Sequence, residues 1–249
     1  MLAKRIIVCL DTRDGRLVKG VRFKSLVDHG SPAEAAMRYY NEGADEICFL
    51  DISATQEGRL ALADVVKDVA RGVFIPLTVG GGIKNLSDIR VLTGSGADKV
   101  SLNTAAVENP GLIEEVSRLL GSQSVVITID AARTPDGFRV FTHAGTRETR
   151  LRPDEWASEA VSLGAGEVLL TSIDADGTQE GYDIELLRTV RRAVNVPLIA
   201  SGGAGKHEHF LEAFSAGADA ALAASLFHEG RMSIGGLKNY LREKGVAVR

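Results

Sequence analysis

Pro197-Leu-Ile-Ala-Ser-Gly-Gly-Ala-Gly205 and, a helix-length spacer later, Gly217-Ala-Asp-Ala-Ala-Leu-Ala-Ala-Ser225 decide the fold. One apolar strand runs into Gly202-Gly203 and a second into Ala224-Ser225. Glycine pairs at strand ends let backbone N–H groups approach an anion closely, and a helix N-terminus behind them adds a favourable dipole. Two consecutive βα loops of this kind make a phosphate cradle, as after the last strands of a (β/α)8 barrel. The same text occurs once before: Pro76-Leu-Thr-Val-Gly-Gly-Gly82 leads to Gly96-Ala-Asp-Lys-Val-Ser-Leu-Asn-Thr104, at a constant offset of 121 residues. At that offset Gly43-Ala-Asp-Glu-Ile-Cys-Phe-Leu50 also matches Gly164-Ala-Gly-Glu-Val-Leu-Leu-Thr171, and Val8-Cys-Leu-Asp11 matches Ile127-Thr-Ile-Asp130 at 119. The chain reads as a TIM barrel duplicated from two half-barrels, approximately residues 1–121 and 122–249. Paired cradles predict a ligand with a phosphate at each end. A lone Gly-Gly could merely close a tight turn; two pairs in register weaken that reading.

Composition agrees with one such domain. The 249 residues are 45% apolar and 25% charged, ordinary for a globular protein that buries a core. A net charge of −4 with no Lys/Arg run argues against nucleic acid as a partner. Ile6–Leu10 is too short for a signal-peptide core, and no later run reaches membrane length, so a cytoplasmic protein is expected. Cys9 and Cys48 lie inside expected strands without metal-ligand spacing and read as reduced core thiols.

Val/Ile/Leu-rich runs alternate with helical patterns, which requires a parallel sheet. Strands are expected near 5–11, 46–51, 75–79, 98–103, 124–130, 167–172, 197–201 and 219–223. Helices are expected near 32–43, 58–71, 86–95, 109–120, 154–164, 183–193, 207–216 and 233–244. Ser31-Pro32, Asn85, Asn109-Pro110 and Pro153-Asp154 are start signals. Two connections exceed plain βα loops: 12–30, with Asp14-Gly15 as a hairpin turn, and 131–152, with Pro135-Asp-Gly137 before Phe138-Arg-Val-Phe-Thr142. Each half thus carries a hairpin over the same mouth, and the first, with Lys19 and Gly20, is the lid candidate.

Asp11 and Asp130 end the first and fifth strands, opposite each other at the C-terminal mouth where barrel active sites lie. Period-two parity aims both inward, with Arg5, Ile7 and Cys9 on one strand and Val126 and Thr128 on the other. Carboxylates at apolar strand ends either cap the following turn or work as a general acid and base held in different protonation states. A divalent metal is not favoured, since no third clustered carboxylate or histidine accompanies them, and no cofactor motif is present. Lys19 either stabilises developing negative charge or is simply solvated. At the opposite mouth Arg5, Glu46, Lys99 and Glu167 lie at strand starts with inward parity, so two cations and two anions converge below an apolar passage. A structural ion-pair plug and a gate both fit that pattern.

Arg5-Ile-Ile-Val-Cys-Leu-Asp11, Asp14-Gly-Arg, Val18-Lys-Gly-Val21, Leu77-Thr-Val-Gly-Gly-Gly-Ile83, Ser101-Leu-Asn-Thr104, Thr171-Ser-Ile-Asp174, Asp176-Gly-Thr178, Gly181-Tyr-Asp183 and Ala200-Ser-Gly-Gly-Ala204 resemble the cyclase subunit of imidazole glycerol phosphate synthase, over essentially the whole chain. The resemblance implies an enzyme of histidine biosynthesis. In that reaction ammonia adds to phosphoribulosyl-formimino-aminoimidazole carboxamide ribotide and yields imidazole glycerol phosphate and aminoimidazole carboxamide ribotide. It implies Asp11 and Asp130 as the acid/base pair and Lys19 as the lid lysine. One phosphate would meet Gly82, Asn103 and Thr104, the other Asp176, Gly177, Gly203, Ala224 and Ser225, with Thr171 and Ser201 between. It further implies that ammonia enters through the Arg5/Glu46/Lys99/Glu167 gate from a docked glutaminase subunit that touches Asp98 and Gln123. Arg22, Ala144 and Ala175 depart from the family's usual residues. The sister isomerase of the same pathway and a non-catalytic phosphate-binding barrel are the competing readings; Val18-Lys-Gly-Val21 and Asp176-Gly-Thr178 favour the cyclase.

Overall fold

Runs such as Ile6–Leu10 and Val125–Ile127 are apolar on both faces because both faces are covered, one by helices and one by the barrel interior. The computed structural model describes residues 3–13, 16–21, 24–52, 54–57, 60 and 63–249. Its strands are β1 (Arg5–Arg13), β2 (Arg16–Val21), β3 (Lys24–Gly30), β4 (Glu46–Asp51), β5 (Leu77–Gly80), β6 (Lys99–Leu102), β7 (Val125–Thr134), β8 (Gly137–Thr142), β9 (Arg147–Glu148), β10 (Glu167–Ser172), β11 (Leu198–Ser201) and β12 (Ala220–Ala223). Parallel pairing runs β1–β4–β5–β6–β7–β10–β11–β12 and returns from β12 to β1, closing an eight-stranded (β/α)8 TIM barrel. β1 and β7 are four places apart in that ring, so their C-terminal ends oppose each other.

The core has two layers. Side chains such as Val8, Phe49, Val100 and Ile127 pack outward against the helices. Ile7, Cys9, Cys48, Val126, Leu169, Ile199 and Leu222 fill the interior. Neither cysteine forms a disulfide, and both are buried.

Capping follows local chemistry. The Ser31 side chain accepts from Glu34 N at the start of helix Pro32–Asn41, and Asn85 and Asp88 form a reciprocal capping box. Three Gly-Ala-Asp segments repeat one device at the foot of the barrel. Asp45 accepts from Ile6 N (2.7 Å), Asp98 from Leu77 N (2.8 Å) and Asp219 from Leu198 N (3.1 Å), each tying a strand start to its neighbour. The fourth copy has Gly166, because a Cβ there would lie 2.1 Å from the Ser122 carbonyl oxygen.

Both long connections are built as antiparallel extensions over the C-terminal mouth. β1 pairs with β2, Arg13 opposite Arg16, and β7 pairs with β8, Thr134 opposite Gly137. The second turn is thus Pro135-Asp136, with Gly137 opening the return strand. β3 and β9 add to these hairpins and were not foreseen. Asp14, Gly15 and Arg22 lie outside the described residues, as does the Lys19 side chain. The helix expected over 58–71 is Ala63–Ala70, with 58–59 and 61–62 outside the described residues. The helix expected from 109 starts at Gly111, because Asn109 closes a separate short helix, Thr104–Glu108, through its N–H to Ala105 O. A second short helix, Ser225–His228, follows β12. Among the described residues no helix is long and apolar enough to cross a membrane.

Trp156, on helix Pro153–Ser162, is 1% exposed, yet its Nε1 has no hydrogen-bond partner among the described residues. A buried unpaired donor costs about 1–3 kcal/mol, which offsets much of what the extra ring contributes. Trp156→Phe is therefore expected to change unfolding free energy by no more than about 1 kcal/mol, against about 3–5 kcal/mol lost in Trp156→Ala. Urea unfolding of both variants reads the difference.

Candidate active site

The C-terminal mouth opens into a cavity of about 300 Å³. Asp11, Asp130, Gly82, Asn103, Thr104, Thr171, Asp176, Gly177, Ser201, Gly203, Ala224 and Ser225 all line it. The residues read from the sequence as one site are therefore brought together around one space, apart from Lys19, whose backbone lies in β2.

The two glycine loops are built alike. Gly81 and Gly202 have φ of +117° and +88°, and a Cβ on either would strike a backbone oxygen, Asp51 O at 2.5 Å or Ser172 O at 2.7 Å. A Cβ on Gly203, at φ +104°, would come within 2.0 Å of Gly181 O. Only glycine allows these loops to fold down onto the strand ends. Each glycine loop stands beside the start of a short helix, entered through Asn103 (φ −126°, ψ −91°) or Ala224 (φ −127°, ψ −78°). The first-turn N–H groups of such helices have no intrahelical acceptor and are suited to phosphate oxygens. Gly203→Ala is accordingly expected to weaken inorganic phosphate binding at least tenfold and to lower the thermal midpoint. Gly94→Ala, where a Cβ meets open space, should gain about 0.5–1 kcal/mol. Calorimetric titration and melting curves of the two variants check both statements.

The aspartates stand in different surroundings. Asp11 is 4% exposed, and its Oδ1 accepts from the Cys9 thiol at 3.0 Å. Asp130 is 6% exposed, and its Oδ2 accepts from Asn103 Nδ2 at 2.8 Å. Burial, and then the neighbouring Asp176 carboxylate, push Asp130 up to about 7, against hydrogen bonds from Thr171 and Asn103 that favour its ionised form. A carboxyl so placed holds a proton near neutrality and can donate it.

Sequence reasoning missed several groups at this mouth. His143, at φ +54°, donates its backbone N–H to Thr104 Oγ1 (2.9 Å), so the second hairpin is fastened to the first cradle. Lys84, Glu108 and His143 line the same cavity. The Gly80-Gly-Gly-Ile-Lys84 spacing was available as a signal for Lys84, a cation two residues beyond the glycine run. Ala144, also at positive φ, lines the cavity with a methyl group, and Ala175 packs near Gly203.

At the other end of the barrel Arg5 bonds Glu46 (2.8 Å) and Glu167 (3.0 Å), and Lys99 bonds Glu46 (3.0 Å) and Glu167 (2.9 Å). Each cation bridges both anions, and Thr78 Oγ1 adds a bond to Glu46 at 2.6 Å. All four side chains are nearly buried, Glu46 most of all. Asp98 and Gln123 are exposed on the same face.

The histidine biosynthesis protein family model matches residues 5–233. The chain is 57% identical to the imidazole glycerol phosphate synthase subunit HisF of Exiguobacterium sibiricum and 58% identical to that of Sulfurisphaera tokodaii, over the whole of both chains in each case. It is 54% identical to the same subunit of Thermococcus onnurineus, over all of this chain and 99% of the relative. The chain belongs to the histidine biosynthesis protein family, among the HisF subunits of imidazole glycerol phosphate synthase.

Proposed function

We propose that this chain is the ammonia-using cyclase of histidine biosynthesis, converting the doubly phosphorylated ribulosyl-formimino ribotide into imidazole glycerol phosphate and aminoimidazole carboxamide ribotide. The observation that carries this reading is the matched pair of cradles flanking two opposed, unequal aspartates. Gly82, Asn103 and Thr104 hold one phosphate; Gly177, Gly203, Ala224 and Ser225 hold the other, with Asp176, Thr171 and Ser201 along the ligand between them. Asp130 donates a proton as ammonia adds to the ketose carbonyl and the ring closes, and Asp11 accepts one. Lys19 on the first hairpin offsets developing negative charge. The halves 1–121 and 122–249 are copies of one unit, which accounts for a twofold site on a single barrel.

Ammonia enters at the far mouth. Arg5, Glu46, Lys99 and Glu167 gate it, and a glutaminase subunit docks there over Asp98 and Gln123. That assignment is supported by the cost of burying four charges where apolar packing would serve stability as well. The enzyme works in the cytoplasm, where its two cysteines stay reduced as thiols. The names of the relatives favour the synthase over the sister isomerase. The test is substrate choice. The ribulosyl compound with ammonium salt at alkaline pH should give both products, and the isomerase's aldose substrate should be left unchanged. Isomerisation of the aldose, or no turnover of either, would favour the competing readings.

A further inference from the structure

The two halves repeat a backbone but not a side chain at one position that matters. Asn103 follows β6, the neighbour of β7 and its Asp130; Ala224 follows β12, the neighbour of β1 and its Asp11. The two residues share nearly the same backbone conformation, φ −126° and −127°. Asn103 Nδ2 donates to Asp130 at 2.8 Å, whereas Ala224 has no side-chain donor to offer Asp11, whose Oδ1 accepts from the Cys9 thiol. Asn103 Oδ1 is buried and has no hydrogen-bond partner among the described residues, although the residue lines the cavity.

We infer that Asn103 is a positioning residue for Asp130, that its vacant Oδ1 accepts an N–H or O–H of the bound substrate, and that the Asn103/Ala224 difference orients the two aspartates differently toward it. This rests on the cyclase reading and deepens it. A symmetric pair of aspartates between symmetric cradles would bind a bisphosphate in either direction. One amide, tied to the proton donor on one side and to the substrate on the other, selects a single direction. One of the amide's two N–H donors is committed to Asp130, and the unpaired Oδ1 can only accept, which suits a substrate N–H or O–H and not a phosphate oxygen; the cradle's phosphate is met at this position by main-chain N–H groups. Asp130 is faced by Asp176 from the loop after β10, Thr171 of β10, Asn103 and, across the mouth, Asp11; Lys84, Glu108 and His143 line the same cavity.

The experiment follows the Asp130 carboxyl by carbon-13 NMR across pH in the full chain, assigned with Asp130→Asn, and compares Asn103→Ala with the isosteric Asn103→Leu. Loss of a hydrogen bond to the ionised form should move the titration upward by about one pH unit in both variants. In the ammonia-fed reaction kcat should fall about tenfold or more, with KM for the bisphosphate changed by no more than about threefold. An unmoved midpoint with the loss confined to KM would make Asn103 a phosphate contact and overturn the inference. The titration needs no turnover. A wild-type chain that makes neither product therefore counts against the cyclase reading, while the carbon-13 shift still decides the role of Asn103.

Discussion

Asp130→Asn is expected to lower ammonia-dependent turnover by ~10²–10⁴-fold, the range typical of a lost general acid or base, while affinity for the bisphosphate changes far less. The asparagine keeps the shape and the neighbours but has no transferable proton, and the proposed phosphate cradles lie apart from it along the same cavity. Asp11→Asn should act in the same direction, as should Lys19→Ala. The variant also carries an opposite signature in stability. Asp130 titrates at about 7, above its ordinary 3.8, so between those values the native chain holds a proton that the unfolded chain has released. Native stability therefore falls as pH rises through that window, by up to about 4 kcal/mol, and Asp130→Asn removes that dependence. Urea unfolding at pH 4 and pH 8 should show the asparagine variant gaining on the wild type at the higher pH. Equal differences at both pH values would show that the carboxyl is not held protonated.

Lys99→Ala should have the second largest effect. It leaves Glu46 and Glu167 sharing Arg5 alone at the foot of the barrel, and removing one partner of a buried ion network costs about 3–5 kcal/mol. If the ring is a gate, the loss is selective as well. Glutamine-driven activity with a partner glutaminase should fall severalfold more than activity fed with free ammonium. Equal loss in the two assays, alongside the lowered melting temperature, would reduce the ring to a structural plug.

The barrel was legible because its evidence is local and periodic. Each barrel strand, four to ten residues long, is built around a short apolar stretch, and parity alone aimed Asp11, Asp130 and the four ring residues inward. Glycine pairs marked the tight loops at the strand ends, where a Cβ at Gly202 or Gly203 has nowhere to go. What parity could not supply was height. Glu46 pairs in register with Ile7, not Arg5, and Lys99 pairs with Thr78, so the ring closes only because long side chains reach across staggered strands. The helices Thr104–Glu108 and Ser225–His228 escaped notice because a run of four or five residues completes too little of a helical period to show one. β3 and β9 depend on hairpin partners, not on alternation of their own. The Asn103–Asp130 bond joins residues 27 apart, one just past the end of β6 and one on the neighbouring β7, and nothing in either segment alone announces it.

Nitrogen-15 ammonium tests the central claim most directly. Purified chain, given the ribulosyl-formimino ribotide and labelled ammonium without any glutaminase, should release the two products in equal amounts. Each molecule of imidazole glycerol phosphate should carry one labelled nitrogen and each aminoimidazole carboxamide ribotide none. Label in the ribotide, unlabelled imidazole product, or a substrate that survives intact would contradict the account.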